Sequence, residues 1–258
     1  MKKGKKKITH LRLSSLLGTG GLLFFLIFTN GCKKKELPLP VAQNADTAKF
    51  TDPVNKDVYK IVKIGNQWWM AENLKAVKYR NGKYIASIQS DSARWANDTT
   101  GAYCVYDNVY TAPGLLYNWY AITNANQLAP AGWHIPSDEE WKTMEEYLGM
   151  SASDANNINW RGTNEADKLK IQSYENWQVS NNVFSTNESG FTALAGSCRV
   201  FNNEWGTPGL GSIGFWWTST LNPSTNQAWY RYLDYKSSQV FRNYVSKNYG
   251  FSVRCIKD

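Results

Sequence analysis

Histidine is nearly missing from this chain of 258 residues, which carries only His10 and His134. A histidine-ligated zinc centre would have to gather several carboxylate or cysteine partners around one imidazole, so no metal and no cofactor is expected. A cationic surplus is also missing where it would matter. The formal net charge is +8, yet from Leu37 onward there are 20 basic and 20 acidic residues. A neutral body lacks the charge that phosphate backbones demand, which excludes charge-driven nucleic-acid binding. Long helical patterns are few. Apolar stretches are short too: the run from Leu13 to Phe28 has 16 residues and is interrupted by Gly18, Gly20 and Gly21. That is less than the ~20 residues of a permanent membrane-spanning helix.

Aromatic residues, by contrast, are abundant. They make up 14% of the chain, and all 12 tryptophans lie beyond the amino-terminal leader, among plentiful Gly, Asn and Ser. That composition predicts one loop-rich domain with a large aromatic core, and it is far from that of a disordered chain.

The amino terminus has the order of a secretory signal: a lysine-rich start, an apolar run, then Thr29-Asn30-Gly31-Cys32. The Gly31-Cys32 junction resembles that of a bacterial lipoprotein signal, in which the cysteine becomes the lipidated first residue after cleavage. We therefore expect a signal at 1–31, a lipidated Cys32 opening a solvated tether at 32–50, and a domain over 51–258, held at the outer membrane of the cell envelope. Lys33 to Lys35 and the Leu-Pro repeat at 37–40 show no core pattern. Export would put Cys104, Cys198 and Cys255 in an oxidising compartment, where any one of three pairings is open and one cysteine is left over.

Within the body, Asp57 to Leu74 places β-branched and aromatic residues on either side of Gly65-Asn66, the signal of a tight hairpin. Asn81-Gly82 marks a second turn. Leu115 to Ile122 is expected to be a short helix. The strongest helix starts at Ser137, whose hydroxyl with Glu140 forms a capping box; Trp141, Met144 and Leu148 follow at helical spacing and Gly149 ends it. Its acids Asp138, Glu139, Glu145 and Glu146 suit the positive end of a helix dipole more than acid–base chemistry, because no other catalytic group accompanies them. Short β runs are expected at 190–200, 215–220, 228–235 and 250–256. The order predicts an α+β fold with small antiparallel sheets, one or two helices and long loops.

The strings Trp69-Met70-Ala71-Glu72-Asn73-Leu74, Leu116-Tyr117-Asn118-Trp119-Tyr120-Ala121, Gly132-Trp133-His134-Ile135-Pro136-Ser137, Trp216-Trp217-Thr218-Ser219-Thr220 and Gly250-Phe251-Ser252-Val253-Arg254-Cys255 resemble the Fibrobacter succinogenes major paralogous domain family. The resemblance runs from about Thr51 to Asp258. It implies a secreted or lipid-anchored protein of Bacteroidetes and related bacteria with a C-type-lectin-like fold, and it implies no established activity. It also implies a disulfide between Cys104 and Cys255, since both fall in motif segments and the closing strand should return to the early part of the domain. A more distant likeness, Ile135-Pro136-Ser137-Asp138-Glu139-Glu140-Trp141, is to the formylglycine-generating enzymes. Those need two close cysteines for copper, and Cys198 is a single thiol. The calcium loops of sugar-binding lectins have no counterpart either; Leu221-Asn222-Pro223-Ser224 brings one side-chain carbonyl and no acid. An enzyme is therefore not expected.

Trp69, Trp119, Trp133, Trp141, Trp216, Trp217 and Trp229 lie in motifs that resemble fold determinants and are expected in the core. The segment 229–249 carries the candidate contact surface. In a strand, Trp229, Arg231, Leu233 and Tyr235 would face inward and Tyr230, Tyr232, Asp234 and Lys236 outward. Continued through Gln239, Phe241, Asn243, Tyr244 and Tyr249, the outer face has the Tyr, Ser and Asn content that suits recognition surfaces. A solvated strand and loop is the alternative reading of the same residues. The expectation is a lipid-anchored binding or adhesion module whose partner is a glycan or an envelope protein, and the alternative role is a structural or surface-assembly subunit.

Overall fold

The computed structural model describes residues 46–106, 113–173, 176–180, 183–200 and 209–258. Cys32 and the first part of the expected tether lie outside them. The tether's expected last residues do not behave as a tether. Strand β1 (Thr47–Thr51) pairs antiparallel with β2 (Val58–Ile64), and Phe50 lays its ring 5.0 Å from that of Trp133. The hairpin is as expected: β2 turns into β3 (Gln67–Met70) with Ile64 opposite Gln67, and Gly65 takes the positive φ of 60° that this turn requires. The turn at Asn81-Gly82 also forms, closed by the bridge between Lys78 and Tyr84.

Three small sheets result, joined by short helices, an α+β arrangement. The first has the order β1-β2-β3-β12-β7, where β7 is Trp133–His134 and β12 is Ile256–Lys257. Ile256 bonds to Trp69 on one side and His134 on the other, so the closing strand is inserted between early ones. The second contains β4 (Ala86–Ser87), β5 (Ala102–Cys104) and β6 (Leu116–Tyr117), with helix α1 (Ser92–Asn97) between β4 and β5. The expected helix at 115–122 is thereby corrected. Leu116 and Tyr117 pair as strand, and only Trp119–Ile122 (α2) is helical. Asn118 makes the switch, its Oδ1 accepting from Ala102 N on the sheet side and Ala121 N on the helix side.

Helix α3 (Asp138–Tyr147) begins at Ser137 with both halves of the capping box in place, and Gly149 follows its end with φ 117°. After it come α4 (Ala152–Asn156), β8 (Asn159–Arg161), α5 (Glu165–Leu169), β9 (Ile213–Asn222), β10 (Gln227–Asp234) and β11 (Val240–Val245). These strands form the third sheet, ordered β8-β11-β10-β9. The expected strand at 190–200 is not one: Ala193, Ser197 and Arg199 make isolated bridges only. The same holds for most of 250–256, where backbone hydrogen bonds from Phe251 to Tyr117 and from Ser252 to Phe215 replace a regular ladder.

The family-like strings turn out to meet one another. Arg254, fully buried, donates from Nε to Asn73 Oδ1 at 2.6 Å and from its fork to the carbonyls of Met70 and Thr192; Trp216 Nε1 donates to the same Asn73 oxygen. Burial pulls the arginine's pKa down to about 9, which still leaves it charged at neutral pH. One cation with carbonyl acceptors thus ties the opening hairpin, the Gly190-Phe191 turn and the closing segment together. Six of the seven motif tryptophans are buried; Trp229 is half-buried.

The disulfide implied between Cys104 and Cys255 is absent, and both are free thiols. Cys104 packs with Ile88, Trp95, Ala102 and Leu116, whereas Cys255 packs in the large cluster around Met70, Tyr117 and Trp217. Each side chain is already committed to its own apolar neighbours. Among the described residues no disulfide forms, and no helix is long and apolar enough to cross a membrane.

Candidate ligand-binding face

Directly opposed residues of neighbouring antiparallel strands point to the same side of a sheet. On the third sheet the registers Tyr230↔Trp217, Tyr232↔Phe215, Tyr232↔Phe241, Tyr230↔Asn243 and Phe241↔Trp160 therefore place one aromatic set on one face. The rings interlock. Phe215 stacks on Tyr232 at 4.7 Å and on Phe251 at 4.8 Å, and Trp160 meets Tyr232 at 5.2 Å and Phe241 at 5.1 Å. Trp217 and Phe251 form a buried floor, Phe215, Tyr230, Tyr232 and Phe241 are half-buried, and Trp160 is 38% exposed at the edge. Burial pushes the Tyr230 hydroxyl up to about 12, and Tyr232 is raised as well, first by burial and then by its hydrogen bond to Asp234, so both remain protonated donors.

Polar groups border the rings. Asp234 accepts from the Tyr232 hydroxyl at 2.5 Å and from Lys236 N at 2.8 Å; Gln239 Nε2 donates to Gly162 O at 2.9 Å; Asn243 Nδ2 donates to Asn159 Oδ1 at 3.0 Å. Lys236 is exposed, its ammonium 5.0 Å from the Tyr235 ring centre. Tyr249 lies half-buried against Phe251 at 5.8 Å.

The opposite face holds Arg231 and Leu233, both buried as the alternation in β10 predicts, together with the buried Val240 of β11. Two residues depart from expectation. Tyr244 stands opposite Trp229 and packs edge-on against it at 5.0 Å, so it belongs to the arginine face and not to the aromatic one. Trp229 itself sits at a register shift between Ala228 and Tyr230, where it is half-buried beneath the Arg242 guanidinium, 3.8 Å from its ring centre. A bulge turns a side chain away from ideal alternation, which accounts for its incomplete burial.

Under the arginine face runs an ion network that the sequence reading missed. Glu145 accepts from Arg161 at 2.7 and 2.9 Å and from Arg231 Nε at 2.7 Å; Asp138 accepts from Arg231 at 2.6 Å and from Arg242 at 2.6 Å. Asp138 and Glu145 are thus held in ion pairs; Asp138 and Glu139 stand in the first turn of α3 as expected, whereas Glu145 and Glu146 lie in its last turn, away from the positive end of the dipole. The signal available was Arg231 alone, an inward position on β10 that demands an anionic partner; the register of β11 that turns Arg242 to the same face is set by cross-strand pairing. Trp160 and Phe215 were missed for the latter reason: only the cross-strand pairing brings them beside Tyr232.

The arrangement offers aromatic contact area framed by amides, hydroxyls and one carboxylate. Among the described residues no group of three or more His, Cys, Asp or Glu could hold a metal ion. A separate cleft, lined by Lys49, Lys60, Val62, Ala71 and Thr192, contains none of these residues. Residues 62–257 match the family model described as the Fibrobacter succinogenes major domain. No curated protein and no solved structure matches the chain.

Proposed function

This chain belongs to the Fibrobacter succinogenes major domain family, and from that premise we propose a lipid-anchored binding module of the bacterial envelope that captures a glycan on the aromatic face of its third sheet. The observation that carries the reading is the half-exposed set Trp160, Tyr232 and Phe241 over a buried aromatic floor. Such rings offer apolar contact to the C–H faces of sugars, while Asp234, Gln239 and Asn243 stand beside them as partners for hydroxyls. A C-type-lectin-like fold agrees with the insertion of β12 between β3 and β7, which returns the closing strand to the opening of the domain. The role is binding and not catalysis: Asp138 and Glu145 are neutralised by arginines, and Cys198 is one thiol where copper oxidases need two.

The test is a screen of the protein against glycan and envelope-protein arrays. Trp160→Ala, Tyr232→Ala and Phe241→Ala should each weaken the glycan interaction by about tenfold or more while circular dichroism stays unchanged. Tyr244→Ala, on the other face, should leave affinity as it is. Equal affinity for all four variants removes the assignment of this face, and self-association without any ligand favours a surface-assembly subunit instead. The anchor rests on the Gly31-Cys32 junction and is tested separately. Cys32→Ser should lose its acyl mass and leave the detergent phase, and a variant that stays membrane-bound excludes lipidation at this residue.

A further inference from the structure

His134 is the one histidine among the described residues, and both of its ring nitrogens face carboxylates. Nδ1 lies 2.7 Å from Asp258 Oδ1, and Nε2 lies 2.8 Å from Glu140 Oε1. A carboxylate is an acceptor only, and a neutral imidazole has a single N–H. With one proton on the ring, one of these two contacts would set a lone pair against an anion at hydrogen-bond distance. Only the doubly protonated ring satisfies both.

The three partners come from three places in the fold. His134 is on β7, whose ladder partner is Ile256 of β12. Asp258 follows β12, and its backbone N–H donates to Gly132 O beside β7 at 3.1 Å. Glu140 is the third residue of α3, and its other oxygen accepts from the Ser137 backbone at 2.7 Å and the Ser137 hydroxyl at 2.9 Å, completing the capping box. The charged groups that face the ring are therefore Glu140 from α3 and Asp258 after β12, while β3 contributes the neutral Trp69 across from Ile256.

We propose that Glu140, His134 and Asp258 form a pH-operated latch: it is closed while the imidazole carries both protons, holding the closing strand to β7 and to the start of α3, and it opens as the second proton leaves. The direction of titration agrees. Burial opposes the charged ring, but the hydrogen bonds and charges of Glu140 and Asp258 outweigh it and raise His134 above 6.5, while Glu140 is lowered from its ordinary 4.5, against burial, by its bonds to Ser137 and His134. The histidine's contribution is full below about 6.5 and is lost as pH rises through the raised value. The glutamate's contribution is present above 4.5 and is lost as pH falls through its lowered value. The latch thus works in a window bounded below by the carboxylate and above by the imidazole.

The experiment is NMR of the histidine-labelled protein in detergent micelles, where His134→Gln identifies the ring signal by removing it. The His134 ring should titrate above 6.5, and Asp258→Asn, which spares the capping box, should move the midpoint back toward 6.5. Melting of the Asp258→Asn variant should fall below wild type at pH 6 and coincide with it above pH 9. A midpoint at or below 6.5, or an equal loss of melting temperature at both pH values, overturns the latch.

Discussion

Glu145 and Asp138 show how a buried carboxylate can be indispensable without being catalytic. Two anions serve three guanidinium groups, from Arg161, Arg231 and Arg242, beneath a sheet that excludes water. Replacing such a set as a whole with apolar residues can be nearly neutral, but removing one member strands the others. Glu145→Gln keeps the shape and removes the charge that faces Arg161 and Arg231. It should cost about 3–5 kcal/mol, seen as a fall in melting temperature on the order of 10 °C for a domain of this size. A loss below about 1 kcal/mol would mean that water enters the network and screens it. Acid should act through Asp138: burial pushes its pKa up, but hydrogen bonds from Arg242 and the charge and hydrogen bonds of Arg231 bring it down to about 2. A depressed pKa contributes stability above 3.8 that disappears as pH falls through 2, on the order of 2 kcal/mol. Unfolding free energy followed from pH 5 to pH 2 should show that loss, and Asp138→Asn should flatten it.

Elements were legible in the sequence to the extent that their determinants are local. The start of α3 is written in Ser137 and Glu140, and the β2–β3 turn in Gly65-Asn66, because both are decided by backbone groups within four residues. Leu116 and Tyr117 were misread as helix because their strand character comes from partners far along the chain, Cys104, Tyr103 and Phe251. The candidate face divides in the same way. Alternation in β10 put Arg231 and Leu233 inside and Tyr230 and Tyr232 on the other side, and the registers agree. The phase of β11 could not be carried across the turn at 235–239, since a slip of one residue exchanges every side chain between faces. Phe241 and Asn243 fell on the aromatic side, while Tyr244, counted with them, lies opposite Trp229. What the sequence could not reveal was the inward position of three arginines as a set, because no spacing rule links β8, β10 and β11 to acids on α3.

At the scale of the whole molecule, the buried thiols report on how the apolar clusters are held together. Cys104 sits in the small cluster with Trp95 and Leu116, and Cys198 and Cys255 sit in the large one with Tyr117, Trp217 and Phe251. Strand β6 spans the two, since Leu116 belongs to the first and Tyr117 to the second. Burial pushes the Cys104 thiol up to about 12 in spite of the opposing Arg199 charge, and it raises Cys255 as well. The attacking species in alkylation and in disulfide exchange is the thiolate, so the raised pKa leaves little of the reactive form near neutral pH. Shielding from reagent adds to that. If the chain is exported, Cys104 and Cys255 survive an oxidising compartment because the fold withholds them, not because they have paired with each other. Native protein treated with iodoacetamide at pH 8 should leave Cys104 and Cys255 unmodified. Both should react together as denaturant passes the global transition, because unfolding either cluster pulls β6 from the other. Peptide mapping without reductant should return the two cysteines in separate peptides. A bridged Cys104–Cys255 peptide would restore the pairing implied by the resemblance, and labelling of Cys104 well below the transition would show that the small cluster opens by itself.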